Sequence, residues 1–265
     1  MSWIQIVVLA VVQGLTEFLP ISSSGHLVLV PSIFDWTDQG LVFDIAVHFG
    51  TLIAVCTYFR SDIVHLIGGG FSAISGDLDS TESKLAVGIA IGTIPAAVAG
   101  LLFADWIETH FRSPSVVVVT LAGYGILLAL ADRYGKQTRE FSAIRIRDAF
   151  IIGLAQALAL VPGTSRSGIT ITAAMMLGLK RMDAARFSFL LSVPVILLAT
   201  LYKGATMLAG DVPIEWGALT VAAIISAVVA YLSIEFFMRF VNAIGLLPFA
   251  IYRLLLAGVI LYVLA

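Results

Sequence analysis

Charge is what this chain has least of. Only 12% of its 265 residues are Asp, Glu, Lys or Arg, against about 25% in an average soluble domain. With 60% hydrophobic residues and a mean hydropathy of +1.03, the expectation is a polytopic membrane protein. The net charge of −2 leaves no basic surface for nucleic acid, so no nucleic-acid partner is expected. There is one cysteine, Cys56, which excludes an internal disulfide and a sulfur-ligated metal; in the apolar run Leu52 to Phe59 it reads as a packed core thiol. The start, Met1-Ser2-Trp3-Ile4, lacks a basic region, and the first apolar run ends in Glu17 and Pro20 without a small-residue cleavage site, so no removable signal peptide is expected.

What is present is apolar length. Six segments, about 41–59, 85–104, 115–132, 187–209, 214–236 and 247–264, are long enough to cross a bilayer, which takes about 20 mainly apolar residues. Two more, 3–33 and 148–179, are interrupted by polar clusters with Pro and Gly nearby (Pro20, Gly25; Pro162, Gly163, Gly168) and read as helix, bend, helix, entering and leaving on one side. The densest basic group, Arg133, Lys136, Arg139, Arg145 and Arg147, places the central loop on the cytoplasmic side. Counting outward puts Arg60, Lys84, Lys180, Arg181, Arg186 and Arg239 there too. Only Arg112 and Lys203 fall near the outer face, and Arg166 and Arg253 at membrane depth. Both termini then lie outside, segment 3–33 is re-entrant from outside and 148–179 from inside. The four tryptophans, Trp3, Trp36, Trp106 and Trp216, fall near span ends as an aromatic belt requires.

The polar interruptions are related. Ser22-Ser23-Ser24-Gly25-His26 and Ser165-Arg166-Ser167-Gly168 each begin nine residues after a glutamine, Gln13 or Gln156. Phe43-Asp44 matches Met182-Asp183, Ile94-Pro95-Ala96 resembles Ile225-Ser226-Ala227, and Ala122-Gly123 resembles Ala257-Gly258, in the same order. The expected fold is therefore an all-α membrane protein with an inverted-topology repeat, six transmembrane helices plus two re-entrant hairpins. It forms one integral membrane domain, 1–265: repeat one about 1–132, a cytoplasmic loop about 133–147, repeat two about 148–265. The two clusters should face each other as one composite site.

Non-helical backbone at membrane depth survives only when buried in protein or lining a wet cavity. Glycine-rich bends at helix starts offer free N–H groups to an anion. Gly163, Thr164, Ser165, Ser167 and Thr170 add polar groups around Arg166, whose guanidinium can hold two phosphate oxygens. The first cluster differs, with Glu17 and His26 beside Ser22, Ser23 and Ser24. One half can bind phosphate while the other attacks it.

Gln13-x-x-x-Glu17, followed by Phe18-Leu19-Pro20-Ile21-Ser22-Ser23-Ser24-Gly25-His26, together with Pro162-Gly163-Thr164-Ser165-Arg166-Ser167-Gly168-x-Thr170, resembles the undecaprenyl-diphosphate phosphatase family of the bacitracin-resistance type. The resemblance extends through Phe187-Ser188-Phe189-Leu190-Leu191-Ser192-Val193-Pro194 to Pro248-Phe249-Ala250-Ile251-Tyr252-Arg253. It implies a bacterial inner-membrane hydrolase that converts a C55 isoprenyl diphosphate to monophosphate and inorganic phosphate. That reaction recycles the carrier lipid for peptidoglycan synthesis and confers bacitracin resistance. It also implies a polyprenyl diphosphate substrate, a site open to the outer face and a divalent cation. The family's acidic motif begins with Glu or Gln; with Gln13 here, Mg²⁺ or Ca²⁺ is expected to lean on Glu17, Gln13 as a neutral oxygen ligand, and the substrate's phosphates.

The expected catalytic residues are Glu17, Ser23, His26 and Arg166; the expected substrate-binding residues are Ser22, Ser24, Gly163, Thr164, Ser165, Ser167 and Thr170. Ser23 as nucleophile with His26 as base is the preferred arrangement; attack by His26 or by water stays open. Each residue also has a structural reading. Glu17 can cap the bend, His26 can bridge the hairpins, Arg166 can simply pair with Glu17, and Ser22, Ser24 and Ser167 can cap or pack helices. Gln156 shares the position of Gln13 and is as well explained by structure. Arg253 reads either as support behind the site or as a snorkelling anchor. His48, Asp44 and Asp183 read as interfacial, His65 and His110 as solvated loop residues, and Gly68-Gly69-Gly70 as a flexible loop. Membrane lipids, and a second copy of the chain in a homodimer, complete the candidate partners. The alternative function is transport or flipping of an isoprenyl phosphate lipid, which inverted repeats with paired hairpins also serve. A channel is disfavoured because the clusters are too unlike to form a ring of repeated groups.

Overall fold

A computed structural model of the chain describes residues 1–111, 113–208 and 215–264. Arg112 and the ends of the expected spans at 209 and 214 lie outside the described residues. Among those described there is no β-strand, only an isolated bridge between Arg139 and Leu179. The helices are α1 (Trp3–Thr16), α2 (Ser23–Ile33), α3 (Gly40–Tyr58), α4 (Arg60–Ile74), α5 (Thr81–Phe111), α6 (Pro114–Tyr134), α7 (Ile146–Ala157), α8 (Arg166–Met176), α9 (Arg181–Leu208), α10 (Trp216–Ile244) and α11 (Leu247–Leu264). Five of them, α3, α5, α6, α9 and α10, are long and apolar enough to cross a membrane; α1 and α11 are shorter apolar helices. The protein is an all-helical, multi-pass membrane protein.

Local chemistry sets the helix starts. Ser2 and Gln5 cap α1 reciprocally, each side chain taking the other's backbone N–H. Ser113 caps α6 ahead of Pro114, where a missing N–H costs nothing. Both interrupted segments form the expected pair of helices around a bend, α1–α2 and α7–α8.

One expectation fails. The segment holding Gly68-Gly69-Gly70 is not a loop but the second half of α4, and His65 lies on that helix with its side chain exposed. The three glycines stay helical because α4 packs along α5, where Ser83 donates to the Gly69 carbonyl at 3.1 Å. His110 likewise ends α5, exposed and stacked on Trp106.

Helix packing relies on small residues, as expected where lipid offers no hydrophobic drive for association. The two hairpin arms cross long helices of the other half in a matching way, α1 against α10 and α7 against α5. A Cβ at Gly14 would lie 2.8 Å from the Ser226 carbonyl, and one at Gly153 2.3 Å from that of Gly92, so only glycine permits either crossing. Helices α6 and α11 pack on each other, as do α3 and α9. An aromatic chain, Phe18 to Phe189 at 5.2 Å, Phe189 to Phe237 at 5.6 Å and Phe237 to Phe249 at 5.4 Å, forms the packed floor beside the first bend.

Ion pairs tie the central loop to its neighbours, Arg139 with Asp148 and Glu140 with Lys180, and join helices directly, Arg181 of α9 with Asp132 of α6 and Arg186 of α9 with Asp62 of α4. Asp132 also accepts the Leu246 N–H at 3.0 Å, fixing the turn into α11.

Candidate active site

The two bends have the same construction. Ser22 and Ser165 both adopt left-handed backbone, at φ +77° and +68°, a conformation that costs an L-residue roughly 1–2 kcal/mol. Each then caps the following helix: Ser22 Oγ accepts the Gly25 N–H at 3.4 Å, Ser165 Oγ that of Gly168 at 3.2 Å. The second serine two residues on completes each motif, with Ser22 and Ser24 hydroxyls 3.2 Å apart and those of Ser165 and Ser167 3.3 Å apart.

Three contacts join the hairpins. Ser167 Oγ donates to the Leu19 carbonyl at 3.0 Å, the Gly163 N–H reaches Ser24 Oγ at 3.5 Å, and Arg166 Nη2 meets Glu17 Oε1 at 3.3 Å. The composite arrangement expected from the sequence is thus formed by direct contact between residues over 130 positions apart.

Glu17 is its centre. Its Oε2 accepts from Gln13 Nε2 at 3.0 Å and from the Ser23 hydroxyl at 2.8 Å, and His48 Nε2 stands 3.7 Å away. Arg166 is held by a second bond, Nη1 to the Ser188 carbonyl at 3.0 Å, with its guanidinium 5.7 Å from the centre of the Phe18 ring. Ser23 and Arg166 are half-buried, so a ligand can reach both.

The other expected residues divide. His26 does not contact Ser23. Its Nδ1 lies 2.7 Å from the Ser22 carbonyl, which can only accept, so Nδ1 carries a hydrogen; Nε2 lies 2.7 Å from the Tyr252 hydroxyl. Thr170 is buried, bonding to the Arg166 carbonyl at 2.8 Å and the Ser188 hydroxyl at 2.6 Å. Thr164 is buried with its hydroxyl unpartnered. Gly163, at φ +85°, turns the second bend against α6, where a Cβ would strike Thr120 Oγ1 at 2.3 Å. Gln13 and Gln156 are both buried, each with an unpartnered side-chain oxygen.

Arg253 is no snorkelling anchor. Fully buried, it donates to the carbonyls of Leu121 (3.1 Å), Thr120 (3.3 Å), Gly163 (3.0 Å) and Thr164 (2.9 Å), tying α6 and α11 to the second bend. Four contributors escaped the sequence reading: His48, Ser188, Tyr252 and Thr120. For His48 a signal existed, since an ionisable side chain inside an apolar span is a candidate by default. Ser188 and Tyr252 lie in stretches that carry the family resemblance, but nothing there gives either a site role, and Thr120 carries no local pattern.

The arrangement is suited to holding a phosphoryl group between a guanidinium and a carboxylate-bound hydroxyl. The family model described as Bacitracin resistance protein BacA matches residues 6–259. The undecaprenyl-diphosphatase of Hahella chejuensis is 53% identical over 263 residues, covering 99% of this chain and 98% of that one. That of Teredinibacter turnerae is also 53% identical over 263 residues, covering 99% of each. That of Alcanivorax borkumensis is 52% identical over 267 residues, covering both chains completely. With the family model spanning nearly its whole length, this chain belongs to the BacA family of bacitracin resistance proteins.

Proposed function

We propose that this protein is an integral membrane phosphatase that hydrolyses undecaprenyl diphosphate to undecaprenyl phosphate and inorganic phosphate, recycling the carrier lipid for peptidoglycan synthesis and conferring bacitracin resistance. The observation that carries the reading is the meeting of Glu17 and Ser23 from one bend with Arg166 from the other. A site that only bound an anion would not need a serine hydroxyl held by a buried carboxylate.

In this reading the terminal phosphate takes the place of Glu17 on one face of the Arg166 guanidinium, which spreads its donors over the non-bridging oxygens. Fixed donors of this kind stabilise the charge that develops during transfer. Ser23 Oγ attacks the terminal phosphorus and passes its proton to Glu17, which already accepts that hydroxyl at 2.8 Å. The bond to the bridging oxygen breaks, the lipid monophosphate leaves, and water then hydrolyses the phosphoserine to release phosphate. Glu17, not His26, is the base toward Ser23, since the ring nitrogens of His26 are engaged by Ser22 and Tyr252. Ser22 and Ser165 act by capping, and Thr170 and Ser167 by holding the bend under Arg166.

A divalent cation fits the donor set in part. Gln13 Oε1 is a buried, unpartnered oxygen next to Glu17, while no three His, Cys, Asp or Glu residues converge among the described residues. Gln13 and Glu17 would hold Mg²⁺ or Ca²⁺, with most other ligands drawn from the diphosphate and water. When bound, such an ion neutralises phosphate charge.

The matched bends and matched helix crossings support an inverted repeat, residues 1–132 against 148–265, with α11 as a sixth span and both hairpins re-entrant. The ion pairs gathering Asp62, Asp132, Arg139, Glu140, Asp148, Lys180, Arg181 and Arg186 support one charged, cytoplasmic end. The protein then resides in the bacterial inner membrane with both termini outside and its site open to the outer face.

The test is phosphate release from C55 or C15 isoprenyl diphosphate by detergent-purified protein supplied with Mg²⁺ or Ca²⁺. Turnover that falls at least ~100-fold in Glu17→Ala and Arg166→Ala supports the assignment. Wild-type turnover in both variants refutes the site, and no turnover in the parent protein refutes the activity in favour of lipid transport.

A further inference from the structure

His48 sits on α3, outside both hairpins, and nothing in the phosphoryl-transfer scheme uses it. Its geometry is nevertheless that of a prepared ligand. Nδ1 lies 2.7 Å from the Asp44 carbonyl and must donate to it, the usual way in which a protein fixes the tautomer and direction of a metal-binding imidazole. In the neutral ring this leaves Nε2 as a lone pair, 3.7 Å from Glu17 Oε2. That distance exceeds a hydrogen bond of about 2.7–3.2 Å, and two lone pairs facing each other gain nothing directly. It is close to the ~3.3–3.6 Å that separates two ligands bonded at ~2.0–2.2 Å to one tetrahedral ion.

A third donor stands beside them. Gln13 contributes a nitrogen to the same Glu17 oxygen at 3.0 Å, while its own oxygen is buried without a partner. A half-turn of the carboxamide gives up one hydrogen bond and brings that oxygen to where Gln13 Nε2 now stands, beside the same Glu17 Oε2 that His48 approaches. The Ser23 hydroxyl, 2.8 Å from the same carboxylate oxygen, lies at the edge of the space so enclosed. His48 is half-buried, its side chain 36% exposed, so an ion can enter beside it.

We propose that His48 is a third protein ligand, with Glu17 and Gln13, of a divalent cation beside the first bend, and that its imidazole tilts the site toward transition-metal ions and away from Ca²⁺. The proposal rests on reading the Glu17–Arg166 pair as a diphosphate site. Imidazole suits transition ions such as Zn²⁺, Fe²⁺ and Ni²⁺, whereas Ca²⁺ prefers an all-oxygen shell at ~2.3–2.6 Å; Mn²⁺ serves as the paramagnetic probe.

The experiment is Mn²⁺ titration of the full-length protein in lipid nanodiscs without substrate, read by pulsed electron paramagnetic resonance for ¹⁴N coupling, with phosphate release from C15 diphosphate measured on the same samples. The parent protein is expected to bind Mn²⁺ with imidazole ¹⁴N modulation. His48→Gln should lose the modulation and bind Mn²⁺ ~10-fold or more weakly, while His65→Gln, on exposed α4, keeps both. Mn²⁺ bound by the parent protein without ¹⁴N modulation, or modulation that persists in His48→Gln, overturns the proposal; so does absence of Mn²⁺ binding. An active enzyme lacking the modulation refutes His48 as ligand alone, whereas no phosphate release with any divalent ion refutes the underlying phosphatase reading.

Discussion

Replacing Arg253 by Met should show how far the second bend depends on one buried guanidinium. Methionine keeps the length and apolar stem, so the change removes donors while leaving packing nearly intact. Of the four carbonyls that Arg253 serves, those of Thr120 and Leu121 lie within α6 and retain helical partners. Those of Gly163 and Thr164 lie in the bend, where Arg253 Nη2 reaches them at 3.0 and 2.9 Å. Each buried carbonyl left without a donor costs ~1–3 kcal/mol. For the two bend carbonyls this sums to about 2–6 kcal/mol, offset in part because the buried guanidinium no longer has to be desolvated. Because Gly163 and Thr164 immediately precede the Ser165 cap and Arg166, the loss should appear in turnover as well as in stability. The assay is a thermal midpoint in detergent, with phosphate release per folded molecule. Both should fall in Arg253→Met, and Arg253→Lys should recover only part of the loss, because an ammonium cannot span the donor positions of a planar fork. An unchanged midpoint would refute the bend-clamp reasoning, and a lowered midpoint with unchanged turnover would refute its link to Arg166.

Tyr252→Phe removes the hydroxyl on His26 Nε2; about 1 kcal/mol, or ~5-fold in kcat/KM for isoprenyl diphosphate, should be lost, and identical kinetics would show that Tyr252 does not hold the ring. At Ser165, glycine should be tolerated better than alanine: alanine loses ~1 kcal/mol of capping and keeps the left-handed strain, whereas glycine loses a few tenths and relieves the strain. Thermal midpoints ordered with alanine above glycine would contradict the bend geometry.

Why so much of this molecule was legible in its sequence follows from cost. Polar residues in a membrane chain must be paired or solvated, so Ser22 to His26 and Ser165 to Gly168 announced themselves, and their shared nine-residue step from Gln13 and Gln156 carried over into bends of the same backbone geometry. What the sequence concealed came from elsewhere in space. Ser188, Tyr252 and Thr120 act from α9, α11 and α6, far from both bends in the chain and with no local period to point at them. Ser23 and His26 share a helix face by spacing, yet the His26 ring follows its bond to the Ser22 carbonyl and leaves Ser23 to Glu17. Gly68-Gly69-Gly70 looked like a loop because glycine is a poor helix former in water, but in α4 those residues allow close packing on α5.

The central claim, that the two hairpins form one catalytic unit, is tested most directly by a double-mutant cycle on phosphate release with Glu17→Ala, Arg166→Ala and the pair. Groups that act together are strongly non-additive, so the double variant should be scarcely less active than the worse single variant. Losses that multiply as independent factors would contradict the account.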